Sequence, residues 1–240
     1  MRAGQAGVYG AGFKGQLIYS VSTASEKLKL SGTKWNGNEV IHTRYLDAPI
    51  VRMAPFGGKV AIATRQSLWL MGGEPYEGEA DDPAVTADTG KAPAWLGDPE
   101  PLMTHGTYAN DDDFAFLCSY RGRLYTWLEG RVCEFDDSQE EGRWQRMGPE
   151  GTLCRSGCVA GDWLVVAIDS RYGGRQLWGF NGGGWWLLDE RSTPAMIWPG
   201  PLGGAGNYDL VVFRAGETTT YDLYRLKWRT NTDNSYRASG

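Results

Sequence analysis

The chain has 240 residues, 41% hydrophobic and 22% charged, with a net charge of −5. That apolar content can bury a core and excludes disorder along the whole length, while the negative balance argues against nucleic acid, whose phosphates need a basic face. No run approaches the roughly 18 apolar residues of a membrane helix, so no membrane partner is expected.

The first segment offers Gln16 to Val21 and Lys27 to Leu30 as strands, followed by Trp35. In 48 to 73 the order is Ile50 to Ala54, then Lys59 to Thr64, then Ser67 to Met71. Residues 74 to 110 then interrupt the pattern. They hold five prolines and eight acids against the single base Lys91. A long acidic Pro-rich segment on a compact domain is either a solvated excursion or a docking element. Its candidate partner-binding residues are Glu74, Tyr76, Asp81 and Asp82, with Trp95 and Leu96 as an apolar anchor.

Segment 111 to 148 reads as a four-stranded meander: Phe114 to Ser119, Arg123 to Leu128, Arg131 to Phe135 and Arg143 to Met147. Arg121-Gly122 and Glu129-Gly130 are two-residue turns of the kind that join antiparallel strands. In 155 to 190, Asp162 to Ile168, Gln176 to Phe180 and Gly184 to Asp189 repeat the second, third and fourth strands. Gly182-Gly183-Gly184 falls between the last two. A phosphate-cradling loop needs a strand-to-helix setting and a fingerprint that is missing here, so the glycines are read as a hairpin turn. Trp185 and Trp186 are expected to pack between neighbouring units, where large flat side chains bury the most area. Ala195 to Trp198, Asp209 to Phe213 and Thr219 to Leu226 form the last unit. It lacks an evident fourth strand, for which Gln5 to Tyr9 is the candidate.

The second strands begin near 16, 59, 123, 163 and 209, giving spacings of 43, 64, 40 and 46. A period in the forties with four strands per unit is the mark of a β-propeller. The segment 74 to 110 explains the long spacing. The expectation is an all-β chain of about five four-stranded antiparallel blades over residues 1–228, with a polar tail at 229–240. The start, MRAGQAGVYGAGFKG, lacks the apolar stretch of a secretory signal, so synthesis in the cytoplasm is expected, with a fragment of a longer protein as the alternative.

Motifs for chemistry are sparse. The only histidines are His42 and His105, far from any paired nucleophile in sequence. Cys118, Cys133, Cys154 and Cys158 are read as reduced, mostly buried small side chains, although Cys154-x3-Cys158 has near-metal spacing. Asp111-Asp112-Asp113 could bind calcium, but a solvated acidic turn is the simpler reading because the spaced oxygen pattern of an EF-hand is missing. No catalytic residue, metal or cofactor is expected.

The repeats G-R-L-Y-x-W, G-R-V-x-E-F and G-R-W-x-x-M, with L-W-G-F-N-G-G-G-W-W-L-L, resemble irregular propellers in tail or tail-tip proteins of tailed bacteriophages. The resemblance spans most of residues 10 to 228. The glycine pairs at 57-58, 72-73, 173-174 and 203-204 are similar to those of kelch-type propellers, but they do not hold one fixed blade position. The phage resemblance implies a non-enzymatic virion scaffold, made in the host cytoplasm, whose loops contact other protein subunits or a cell-surface glycan. A carbohydrate-binding or carbohydrate-cleaving propeller and a cellular protein-interaction propeller remain the alternatives.

Overall fold

The computed structural model describes residues 10–13, 16–20, 27–31, 40–71, 100–104, 113–136, 143–190, 194–199, 209–214 and 221–226. The chain divides into two compact units, Met1–Tyr108 with Asp137–Arg143, and Ala109–Asp136 with Trp144–Gly240.

Among the described residues, the first unit holds two sheets. One is β1 (Gly10–Phe13), β2 (Gln16–Ser20), β3 (Lys27–Ser31) and β4 (Val40–Tyr45); the other is β5 (Ile50–Phe56), β6 (Lys59–Thr64), β7 (Ser67–Met71) and β8 (Glu100–Thr104). Each is antiparallel and ordered as in the chain, which is the topology of a propeller blade. Gly57 and Gly58 turn β5 into β6 with φ of 56° and 74°, the doubly left-handed turn whose twist suits a hairpin. Thr64 ends β6 as a local cap: its hydroxyl oxygen accepts the N–H groups of Gln66 and Ser67 at 3.1 and 2.9 Å. Asp47, in the link from β4 to β5, accepts the Thr64 hydroxyl at 3.0 Å and the Trp69 indole N–H at 3.1 Å, and also the Ser67 hydroxyl.

Among the described residues, the second unit holds three sheets. They are β9 (Leu117–Tyr120) to β12 (Arg143–Glu150) through β10 (Arg123–Leu128) and β11 (Arg131–Asp136); β13 (Leu153–Ala160), β14 (Trp163–Asp169), β15 (Arg175–Phe180) and β16 (Trp185–Asp189); and the three-stranded β17 (Pro194–Pro199), β18 (Leu210–Arg214) and β19 (Tyr221–Tyr224). All five second strands stand where the repeat spacing puts them.

Strand β14, Trp-Leu-Val-Val-Ala-Ile-Asp, explains the layering. Successive residues of a strand point to opposite faces. Leu164, Val166 and Ile168 join Phe116, Tyr125 and Trp127 of the preceding sheet in one core. Trp163, Val165 and Ala167 join Ile197, Leu210 and Val212 of the following sheet in another. Six consecutive buried residues therefore serve two cores, each large side chain contributing about 1.5–3 kcal/mol by leaving water.

Gly182 to Gly184 is a hairpin loop. Gly182 has φ of 92°, and the Asn181 N–H reaches the Gly184 carbonyl at 3.4 Å. The Asn181 side-chain oxygen accepts the N–H groups of Gly183 and Gly184 at 2.9 and 3.2 Å, so the loop is closed by its own first residue.

Trp35 lies outside the described residues; the fourth strand of the first sheet is Val40–Tyr45. Two expectations are corrected. Segment 74 to 110 is not wholly an insertion, because Glu100–Thr104 supplies β8 beside β7. Its prolines suggested loop, but β8 is an edge strand, where proline needs no ladder partner. The strand expected at Phe114 to Ser119 begins at Leu117; Phe114 is a buried turn residue with φ of 59° whose N–H donates to the Trp127 carbonyl at 2.8 Å. The proposed closing strand, residues 5–9, lies outside the described residues.

Candidate interaction surface

The β17–β18–β19 sheet exposes one apolar face. Its register pairs Met196 with Phe213, Trp198 with Val211, Phe213 with Tyr221 and Val211 with Leu223. Alternation places these six side chains together, opposite the face that carries Ile197, Leu210, Val212 and Tyr224 into the core. A bulge between Pro194 and Met196 resets the register, so that Pro194 is buried and Met196 is not. Trp198 is 59% exposed, Tyr221 54% and Met196 48%.

The aromatic rings form a row. Trp198 and Phe213 lie edge to face at 6.3 Å and 72°, and Phe213 and Tyr221 at 5.9 Å and 55°. The six residues include no charged side chain. The nearest ion pair in the sheet, Arg214 to Asp222 at 2.7 and 2.8 Å, belongs to the other side, because Asp222 pairs with inward-facing Val212.

The expected site residues Glu74, Tyr76, Asp81, Asp82, Trp95 and Leu96 lie outside the described residues, as do Asp111 and Asp112. Asp113 is not a solvated turn residue: it is 8% exposed and accepts the Glu129 N–H at 2.8 Å, a structural role. None of the four cysteines is in a disulfide. Burial pushes the thiols of Cys133 and Cys158 up to about 12, and that of Cys118 up as well, so none of these three is a thiolate at neutral pH. Among the described residues, no three His, Cys, Asp or Glu side chains are placed to hold a metal ion. No helix among them is long and apolar enough to cross a membrane.

Sequence reasoning placed the strands of this surface but not its exposure. Met-Ile-Trp and Leu-Val-Val-Phe are apolar on both alternating faces, the same signal that β14 gives. Such a pattern calls for cover on both sides, and here the outer face is covered only in part: Val211, Phe213 and Leu223 are half-buried, while Met196, Trp198 and Tyr221 are exposed.

No family model matches the chain, and no curated protein matches it. Its fold resembles solved β-propellers. The N-terminal domain of Nup159 is 13% identical with a TM-score of 0.49, over 98% of this chain and 61% of that one. TolB from Acinetobacter baumannii is 15% identical with a TM-score of 0.45, over 89% and 50%. AztD from Citrobacter koseri is 9% identical with a TM-score of 0.46, over 89% and 60%. The chain thus spans about three fifths of the Nup159 domain's length.

Proposed function

We propose that the chain is a non-enzymatic scaffold that binds neighbouring protein subunits, as a tail component of a bacteriophage virion. The observation that supports the protein-contact reading is the partly exposed apolar face of β17–β18–β19, on which Met196, Trp198 and Tyr221 are exposed. Contiguous exposed apolar surface on an ordered sheet favours association, because water leaves both partners when they meet. The phage setting rests on the sequence resemblance alone.

The same face weighs against a glycan. A sugar site needs hydrogen-bonding groups beside the stacking ring. Here the Tyr221 hydroxyl and the Trp198 indole N–H are the polar side-chain groups among the six residues, and the Asp222 carboxylate belongs to the opposite side.

Mass spectrometry of purified virus particles from the source tests the reading, through the tryptic peptide Gln176 to Arg191. Recovery at the stoichiometry of other virion proteins is expected. Its absence while those proteins are seen would overturn the virion assignment.

A further inference from the structure

We propose that the hairpin tip from Arg171 to Arg175 binds a carboxylate-bearing segment of a neighbouring protein. The inference rests on reading the chain as a protein-binding scaffold, and it names the chemistry of one partner at a surface other than the β17–β18–β19 face.

The tip, Arg171-Tyr172-Gly173-Gly174-Arg175, carries β14 into β15. Ser170, just before it, holds its shape. The Ser170 N–H donates to the Gly174 carbonyl at 2.9 Å, the Gly173 N–H to the Ser170 carbonyl at 3.2 Å and the Tyr172 N–H to the Ser170 hydroxyl at 3.1 Å. Tyr172 stands 98% exposed on this ordered loop, and a Cβ on Gly173 or Gly174 would meet nothing within 4 Å. An ordered loop that already stands clear has little freedom left to lose on binding.

Two carboxylates lie behind the tip, and each serves two arginines. Glu150 accepts a hydrogen bond from Arg131 and pairs with Arg171 at 3.7 Å. Asp169 takes the Arg155 Nε–H at 3.2 Å from each oxygen and pairs with the Arg175 Nε at 3.3 Å. The two clusters adjoin, because the Thr152 N–H, two residues after Glu150, donates to the Asp169 carbonyl at 2.8 Å. Four guanidinium groups against two carboxylates leave a local charge of 4 − 2 = +2.

That surplus sits on the tip. Arg131 and Arg155, from β11 and β13, make the hydrogen bonds that satisfy the two acids. Arg171 and Arg175 are the second cations of each cluster, one on either side of Tyr172. At 3.7 Å the Arg171 contact is beyond hydrogen-bond distance, so its half-exposed guanidinium keeps its fork of donors for an incoming acceptor.

This arrangement selects carboxylates. A guanidinium fork takes a carboxylate through two parallel N–H bonds, and arginine and tyrosine are the side chains that most often carry contact energy. Two surplus cations on a chain of net charge −5 are too few to track a nucleic-acid backbone, whose binding is built from many phosphate contacts.

Fluorescence anisotropy of a short fluorescein-labelled poly-L-glutamate, titrated with the full chain at about 20 mM and about 150 mM salt, is the test. Saturable binding that weakens with salt is expected. Arg171→Ala and Tyr172→Ala should each weaken it about threefold, and Arg171→Ala with Arg175→Ala about tenfold. The two single variants should keep the wild-type melting temperature, because both side chains stand in solvent. Binding that these variants leave intact uses another surface and overturns the inference. So does a chain that binds no poly-L-glutamate at the lower salt. A single-stranded oligonucleotide of equal charge that binds more tightly, and is lost in the same variants, overturns it in favour of phosphate. The virion reading stands or falls on the particle peptide instead, so the two can fail separately.

Discussion

Trp185 and Trp186 are consecutive in sequence and lie in different cores. Trp185 packs with Phe180, at 5.1 Å and 22°, in the core between β9–β12 and β13–β16. Trp186 packs in the core between β13–β16 and β17–β19. Each ring removes large apolar area from water, so Trp185→Ala and Trp186→Ala should each cost about 2–4 kcal/mol. Because the rings sit on opposite faces of one strand, the double variant should lose the sum to within about 0.5 kcal/mol. Urea unfolding of the four proteins checks this. A large coupling energy would mean that the two cores are not separate.

Gly157 and Gly58 should fail for different reasons when changed to alanine. A Cβ on Gly157 would stand 2.5 Å from the Phe116 ring, far inside contact distance. The ring is held in the core between two sheets and cannot retreat. Gly157→Ala should therefore cost about 1–3 kcal/mol by overpacking. Pairing it with Phe116→Leu, which vacates the space, should recover part of that loss. Gly58 has open space around it but φ of 74°. Gly58→Ala should cost about 1 kcal/mol through backbone strain, and Phe116→Leu should not rescue it. Thermal melts of the five proteins separate the two mechanisms.

The fold was legible because its signals are local. Arg121-Gly122 and Glu129-Gly130 mark turns, and both pairs adopt left-handed φ. The run in β14 announces a strand covered on both sides, as found. What misled was proline at an edge: Pro101 lies in β8, the edge strand of its sheet, the kind of strand in which proline is tolerated. Phe114 misled in the opposite way, since its apolar character extended a strand into a turn. The interaction face was not legible at all. Trp198 and Trp163 look alike in sequence, and local pattern does not separate a 59% exposed ring from a 1% exposed one.

Asp47 is expected to hold the β6–β7 hairpin through its three side-chain donors, Thr64, Ser67 and Trp69. Asp47→Ala removes the acceptor for all three and should destabilise the first unit by about 1–3 kcal/mol. Asp47→Asn keeps one carbonyl oxygen, which can still serve Thr64 and Trp69, and should cost less. Hydrogen exchange of the β6 and β7 amides, resolved by peptide, reads the loss where it arises. Equal effects of the two substitutions would show that the carboxylate's position, not its acceptor oxygens, sets the stability.

The Cys133 thiol should make stability depend on pH in the alkaline range. Burial raises it from 9.0 to about 12, with the nearby Glu129 carboxylate also raising it and Arg146 and Arg131 opposing. A raised folded value means that the folded chain keeps its proton while the unfolded chain loses it. The contribution is therefore fully present below pH 9.0 and is lost as pH rises toward about 12. Denaturant midpoints should fall across that window, and Cys133→Ala should flatten part of the fall after allowance for its own cavity cost. The same burial should keep Cys133 unreactive toward a thiol reagent at pH 8 in the folded protein and release it in denaturant. Rapid labelling of Cys133 in the native state, mapped by peptide mass, would show that the site opens far below the global unfolding energy.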